Sequence, residues 1–317
     1  MHVMRTQTHS QSSSGSGSGQ GEKYEHIPVL LHEVIDGLAL KGNECVVDGT
    51  LGLGGHAVHV LSALGTEGIF IGLDKDGAAL ARAEQRIGEQ KARCIFSVSA
   101  FESLADVLTV HKIGKVDRIL LDLGWGSHTL KSGRGFSFMV DEPLLMTYED
   151  SLSDETLTAR DIVNTWSEET LASIIFGWGE ESFGRRIAAA LVAARAKKPI
   201  ETTGELASII EKVVPRRGKV HPATKTFQAL RIAVNNELTH LEATLKNHIR
   251  LLTPGGRLAV ITFHSLEDRI VKHVFRELVQ EGMGNLLTKR PQQASETELK
   301  ENPRSRSAKL RIFITTV

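Results

Sequence analysis

Short apolar runs alternate with stretches of helical periodicity through the first third of the chain. Residues 44–48 (ECVVD), 69–74 (IFIGLD), 92–98 and 116–122 (VDRILLD) read as strands, and residues 57–64 and 78–90 as helices. That alternation predicts a parallel sheet with helices on its faces. After Asp122 the rhythm breaks. From about 127 to 220 only helical periodicity is clear, as in Ile187, Leu191 and Ala194, or Leu206, Ile209, Ile210 and Val213. One long helix is expected next, because Phe227, Leu230, Val234, Leu238, Leu241, Leu245, Ile249 and Leu252 recur at steps of three and four. Thr253-Pro254-Gly255-Gly256 should stop it. A strand at 257–263 (RLAVITF), a helix from 265 to about 280 and a last strand at 308–316 would complete the sheet. The expected fold is therefore α/β: one Rossmann-like domain, residues 22–126 and 221–317, interrupted by an all-helical domain at 127–220. Residues 1–21 stand apart, since their stretch SQSSSGSGSGQG cannot bury enough apolar surface to order itself.

Composition fits a soluble globular protein, with 41% hydrophobic and 24% charged residues in 317. No window approaches the roughly 18 apolar residues of a membrane span, and no secretion signal opens the chain, so a cytoplasmic location is expected. Cys45 and Cys94 lie in short apolar runs without metal-type spacing and read as reduced core residues. Lys and Arg balance Asp and Glu at 38 each, which alone argues against a nucleic-acid partner. The distribution argues otherwise. Residues 141–181 hold eleven acidic residues and one basic, whereas 195–231 hold nine Lys or Arg against three Glu, and 289–311 seven against three. Two basic stretches in the second half point to an anionic partner, although a charge run can be merely a solvated face.

The tip of the first strand reads DGTLGLGGH, Asp48 to His56. Glycines let a backbone turn sharply against a ligand, and the helix that follows presents unpaired N–H groups. Gly52, Gly54 and Ala57 also satisfy the dinucleotide pattern G-x-G-x-x-G/A. Nineteen residues past Gly55, Asp74 ends the second strand, where a carboxylate can take the two ribose hydroxyls of an adenosine cofactor or simply cap the next helix. Only one glycine turn is present, and Asp48 just before it suits the positively charged amino acid portion of S-adenosylmethionine better than a nicotinamide cofactor.

These residues resemble the RsmH (MraW) family of bacterial small-subunit rRNA cytosine-N4 methyltransferases. The likeness runs from HIPVLL at 26–31 to NPRSRS at 302–307, through DGTLGLGGH, LLDLG (120–124), RGFSF (134–138), HPATKTFQALRIAVNNEL (221–238) and FHSLEDRIVK (263–272). It implies a class I methyltransferase fold with a helical insertion, an S-adenosylmethionine cofactor, and 16S rRNA as substrate, within the small ribosomal subunit. The cofactor contacts it implies fall on Gly54, Gly55, His56, Asp74, Phe101 and Asp122, with Phe101 near the adenine. Two loops depart from the family. D-L-G-V-S-S-P-Q stands here as Asp122-Leu123-Gly124-Trp125-Gly126-Ser127-His128-Thr129, putting Thr129 where the family has Gln. D-G-P-L-D-M-R-M-D stands as Asp141-Glu142-Pro143-Leu144-Leu145-Met146-Thr147-Tyr148-Glu149.

Cytosine N4 is a weak nucleophile because its lone pair is delocalised into the ring. Its catalyst must aim that lone pair at the methyl and accept hydrogen bonds that strengthen as charge develops. Asp122, at the fourth strand's tip, is expected to accept an N4 hydrogen while Trp125 stacks on the base or plugs the cofactor site. Ser265 with Asp268 should cap the following helix, leaving His264 as a pocket wall near the base. Arg216, Arg217, Lys219, His221, Lys225 and Arg231 are candidates for a phosphate track, with Arg304, Arg306 and Lys309 as a second contact. Two other readings stay open, a nicotinamide-dependent oxidoreductase and a cofactor-binding ribosome-assembly factor without turnover.

Overall fold

A computed structural model describes residues 27–124, 132–149, 152–153, 155–216 and 220–317. The early apolar runs form β1 (Cys45–Asp48), β2 (Ile69–Asp74), β3 (Arg93–Val98) and β4 (Val116–Asp122). Helices α1 (Leu31–Leu38), α2 (Gly55–Ala63), α3 (Gly77–Ile87) and α4 (Leu104–Val110) precede and link them. Strands β5 (Leu252–Thr262), β6 (Gly284–Leu286) and β7 (Lys309–Thr315) return later in the chain. The seven form one sheet in the order β3-β2-β1-β4-β5-β7-β6. The first five strands are parallel, and β7 runs antiparallel to both β5 and β6.

Side chains alternate across a strand, so each run feeds two cores. Val47, Ile71, Ile119, Leu121, Leu258 and Val260 pack on one face, while Val46, Phe70, Leu120, Ala259 and Ile261 pack on the other. Both faces are apolar because helices cover both. A third core is mainly helical, with Phe136, Leu144 and Met146 added from the preceding loop. It gathers Ile162, Leu171, Ile175, Ile187, Leu191, Leu206 and Ile210 from α5 (Ala159–Thr165), α6 (Glu168–Gly177), α7 (Gly184–Arg195) and α8 (Thr203–Val213), together with Phe227 and Leu230.

Three expectations change here. The single long helix is two, α9 (Thr224–Asn235) and α10 (Glu237–Arg250), parted at Asn236, whose φ of 49° and ψ of 36° are left-handed. A short polar Asn tolerates that conformation better than other non-glycine residues. The two halves serve different cores, Phe227 and Leu230 the helical one, Leu241, Leu245 and Ile249 the sheet. Second, residues 253–256 do not stop a helix; they lie within β5, where Val116 faces Leu252 but Arg118 already faces Arg257, so the extra residues loop out of register. Third, α11 (Ser265–Gln280) is capped by His264, not by Ser265 with Asp268. Its Nδ1 accepts the Glu267 N–H at 3.3 Å, and Glu267 Oε2 accepts the His264 N–H at 3.2 Å. An imidazole nitrogen with a lone pair does here what a hydroxyl usually does. Asp268 is instead held by Lys309 and Arg311 at 3.1 and 2.7 Å.

Candidate cofactor and active site

The chain winds outward from β1 to β3, then returns to place β4 on the other side of β1. Such a reversal leaves a crevice at the carboxyl ends of the strands. The loop after β1 floors it. Gly54, at φ 73°, turns the chain into α2 in a conformation where a side chain would be strained. The Gly52 N–H donates to Asp74 Oδ2 at 2.7 Å, and the Asp76 N–H to Asp74 Oδ1 at 2.8 Å. Asp76 is the residue that caps α3, accepting from Ala78 and Ala79. Asp74 therefore is no helix cap; it stands at the end of β2, pinning the glycine turn and lining the crevice.

His56 is buried in the first turn of α2. Its Nε2 lies 2.9 Å from the Val29 carbonyl, which can only accept, so that nitrogen carries the proton and Nδ1 turns to Asp122 Oδ2, 3.7 Å away. Asp122 ends β4. Its N–H donates to Thr50 Oγ1 at 2.6 Å and its Oδ1 accepts the Gly124 N–H at 3.1 Å. A Cβ at Gly124 would collide with the Phe263 ring, 2.6 Å off, so only glycine lets β4 and β5 bring these tips together. Below them Asp48 is 2% exposed, and its carboxyl is pushed up to about 6. Burial is the main cause; Asp122 and Asp74 add to it, while His56 and the Thr50 N–H oppose it. Three carboxylates thus converge on one glycine turn.

Phe101 lines the crevice from a 3-10 turn, Phe101–Ser103, whose first carbonyl is 2.9 Å from His248 Nε2. Burial holds that imidazole down to about 4, so it is neutral and donates from Nε2. Lys75 Nζ stands 3.3 Å from Glu102 Oε1 and 5.8 Å from the Phe101 ring centre. The opposite wall comes from the helical part and the α9–α10 junction: Tyr148, Asn235 and Glu237. Sequence reasoning missed these three, along with Lys75, Glu102 and Glu267, which also line the crevice. Adjacency to Phe101 and Asp74 was the available signal for Glu102 and Lys75; the Tyr148 wall forms only through tertiary packing.

Of the residues singled out in the sequence, Gly55, His56, Asp74, Phe101 and Asp122 come together here, with Gly54 at the turn. Trp125, Thr129, Arg217 and Lys219 lie outside the described residues. Arg216 is exposed just beyond α8. Arg231 is not on a phosphate track: it is 9% exposed, and its Nε and Nη2 each lie 2.8 Å from the Glu237 carboxylate. His221 is likewise turned inward, stacked on Phe138 at 4.3 Å with Nε2 2.8 Å from Glu211. Lys225 reaches the Glu180 carbonyl at 2.7 Å. His264, expected as a pocket wall, is instead the α11 cap, with Nε2 3.0 Å from Glu267 Oε1 and 3.5 Å from Arg231 Nη2. The second basic stretch divides too: Lys309 pairs with Asp268, whereas Arg304 reaches the crevice.

A sheet in this order with its last strand reversed, and an acid-lined glycine turn at its switch point, define a class I, Rossmann-like methyltransferase. Residues 23–316 match the model of the MraW methylase family, and the chain belongs to that family. It is 47% identical over 291 residues to the ribosomal RNA small subunit methyltransferase H of Elusimicrobium minutum, covering 91% of this chain and 98% of that one. It is 43% identical over 310 residues to the protein of that name from Symbiobacterium thermophilum, covering 92% and 96%, and 40% over 309 residues to that from Clostridioides difficile, covering 92% and 98%. The cofactor of this methylase is S-adenosylmethionine. The crevice suits it, since a cationic sulfonium and ammonium relieve the repulsion among Asp48, Asp74 and Asp122 that an anionic pyrophosphate would worsen. The nicotinamide reading is thereby set aside. Among the described residues no helix is long and apolar enough to cross a membrane.

Proposed function

We propose that this chain methylates N4 of a cytidine in the decoding region of 16S ribosomal RNA. The observation that carries the reading is Asp122 at the mouth of an adenosine-type crevice, its backbone N–H anchored on Thr50 Oγ1 and its carboxylate held by the Gly124 N–H. The names borne by the relatives support ribosomal RNA of the small subunit as the substrate class. The backbone of Gly54 and Gly55, His56, Asp74 and Phe101 would hold the cofactor, with Asp74 on the ribose and Phe101 on the adenine, and Thr129 standing where relatives place Gln. Bound there, S-adenosylmethionine supplies an electrophilic methyl group.

The protein's part is positioning and electrostatics. Asp122 accepts a hydrogen bond from the target amine, turns its lone pair toward the cofactor and stabilises the positive charge that grows on nitrogen. Its backbone bonds fix the carboxylate in place before the substrate arrives, so little reorganisation is left for the reaction. Trp125 stacks on the base. Arg216, Arg217 and Lys219, at the end of the helical domain at 127–220, carry RNA phosphates, which position the strand without reading it. The test is methyl transfer from labelled cofactor to small subunits lacking the modification, and to naked 16S RNA, followed by nucleoside analysis. Label in N4-methylated cytidine is the expected result. Label on another nucleoside, or binding without turnover, overturns it.

A further inference from the structure

The second loop that departs from the family, residues 141–149, puts Tyr148 where the resembled pattern has Met, and this phenol is built into the crevice rather than left at the surface. Its backbone N–H donates to Asn235 Oδ1 at 3.0 Å, and Asn235 Nδ2 donates back to the Met146 carbonyl at 2.8 Å. Its hydroxyl donates to Glu237 Oε1 at 3.1 Å, and Glu237 is itself gripped by buried Arg231. Burial and the Glu237 carboxylate hold the phenol well above its usual range, so it stays neutral with its proton committed. What remains to meet a ligand is the ring.

One side of that ring is filled by Phe136, stacked at 5.4 Å and 17°. On another stands Lys75 Nζ, 6.0 Å from the Tyr148 centre and 5.8 Å from the Phe101 centre. The ammonium thus marks a gap flanked by two aromatic rings, one from the sheet domain and one from the loop that joins α5, and the half-exposed Lys75 side chain can swing out of it. We propose that Tyr148 is a wall of the cofactor site that packs the adenosine from the side opposite Phe101, and so links cofactor occupancy to the ordering of the helical body. This rests on the S-adenosylmethionine reading above. Coupling of this kind is reciprocal: whatever steadies the helical body, including bound RNA, tightens cofactor binding by the same factor.

The test titrates S-adenosylhomocysteine into the full-length wild type, Tyr148→Ala and Tyr148→Phe, and follows amide exchange of the wild type with and without that ligand. Tyr148→Ala should bind about tenfold more weakly, the loss expected of an aromatic face against a base. Tyr148→Phe keeps the face and should stay within about threefold. Wild-type exchange should slow on binding across residues 142–149 and in α5, a readout that needs no variant to fold. A wild type that does not bind overturns the cofactor reading itself. A wild type that binds, with unchanged exchange in those segments or with Tyr148→Ala at wild-type affinity, overturns this inference alone.

Discussion

Replacing Asp48 by Asn should stabilise the protein at neutral pH and remove a defined pH dependence. In the folded chain the Asp48 carboxyl is pushed from 3.8 up to about 6, chiefly by burial. An acid with the higher midpoint in the folded state holds its proton more tightly when folded. Its effect is therefore harmless below about pH 4, grows unfavourable as pH rises from 3.8 to about 6, and stays constant above. With the side chain almost fully buried there is little solvent to soften this, so the accumulated cost is on the order of 3 kcal/mol. The amide of Asp48→Asn would keep an oxygen for the Thr50 N–H, which lies 3.1 Å from the present carboxylate, and has nothing to ionise. Urea denaturation from pH 4 to 8 should show the variant gaining on the wild type by roughly 3 kcal/mol up to pH 7, then running parallel. Taking the difference between variant and wild type cancels the titration of groups that do not interact with Asp48. Cofactor binding supplies a second readout: a cation favours ionised Asp48, so wild-type affinity should rise through pH 6 with release of a proton, and that of the variant should not. A stability difference flat from pH 4 to 8 would mean that Asp48 titrates normally, and the account of three mutually repelling acids would fail.

Asp74→Ala should weaken cofactor binding by about 2–3 kcal/mol in calorimetry, because it removes charge-assisted acceptors and frees the Gly52 N–H that shapes the turn; an unchanged dissociation constant would remove Asp74 from the site. Exchanging Arg216, Arg217 and Lys219 together should lower the salt slope of RNA binding by up to about 2 while cofactor affinity holds. A slope equal to wild type would make that stretch a solvated face. Asp122→Asn should slow single-turnover transfer by about 10²-fold or more with far less effect on cofactor affinity, and Trp125→Ala should cost about 1–3 kcal/mol of RNA binding. Loss of cofactor binding in full proportion to rate would assign Asp122 to the cofactor alone.

The strands were legible because a doubly covered parallel sheet writes itself as solid apolar runs, and the glycine turn because its residues need conformations few others tolerate. The break at Asn236 was hidden: periodicity reports that a helix has a buried face, not which core buries it, and here the stripe continues unbroken from one core to the next. Residues 253–256 looked like a stop because their turn chemistry is real; only the neighbouring strand reveals that they bulge within β5. Arg231 misled because it is buried: it adds to a positive run in the sequence, yet it is spent on Glu237 at the start of the next helix. His221, half-buried, is likewise taken up within the fold, by Glu211 and the Phe138 ring. Asp122 could be located by its strand-tip position, whereas Tyr148 and Glu237 reach the crevice only once the helical part folds back.

The split of the sheet domain around the helical part sets an order of assembly. The third core is drawn almost entirely from residues 136–230, a contiguous stretch that is available as soon as α9 has been synthesised. The two sheet cores must wait, because β4, paired with β1 on one side, lacks its second neighbour until β5 is made, and β5 lacks its second until β7. A growing chain therefore holds β1 to β4 half-covered on a ribosome while a later stretch folds beside them. The crevice lies at the seam between early and late strands, with lining residues from Pro28 to Arg304, so its walls come together only after β5 and the stretch carrying Arg304 have been made.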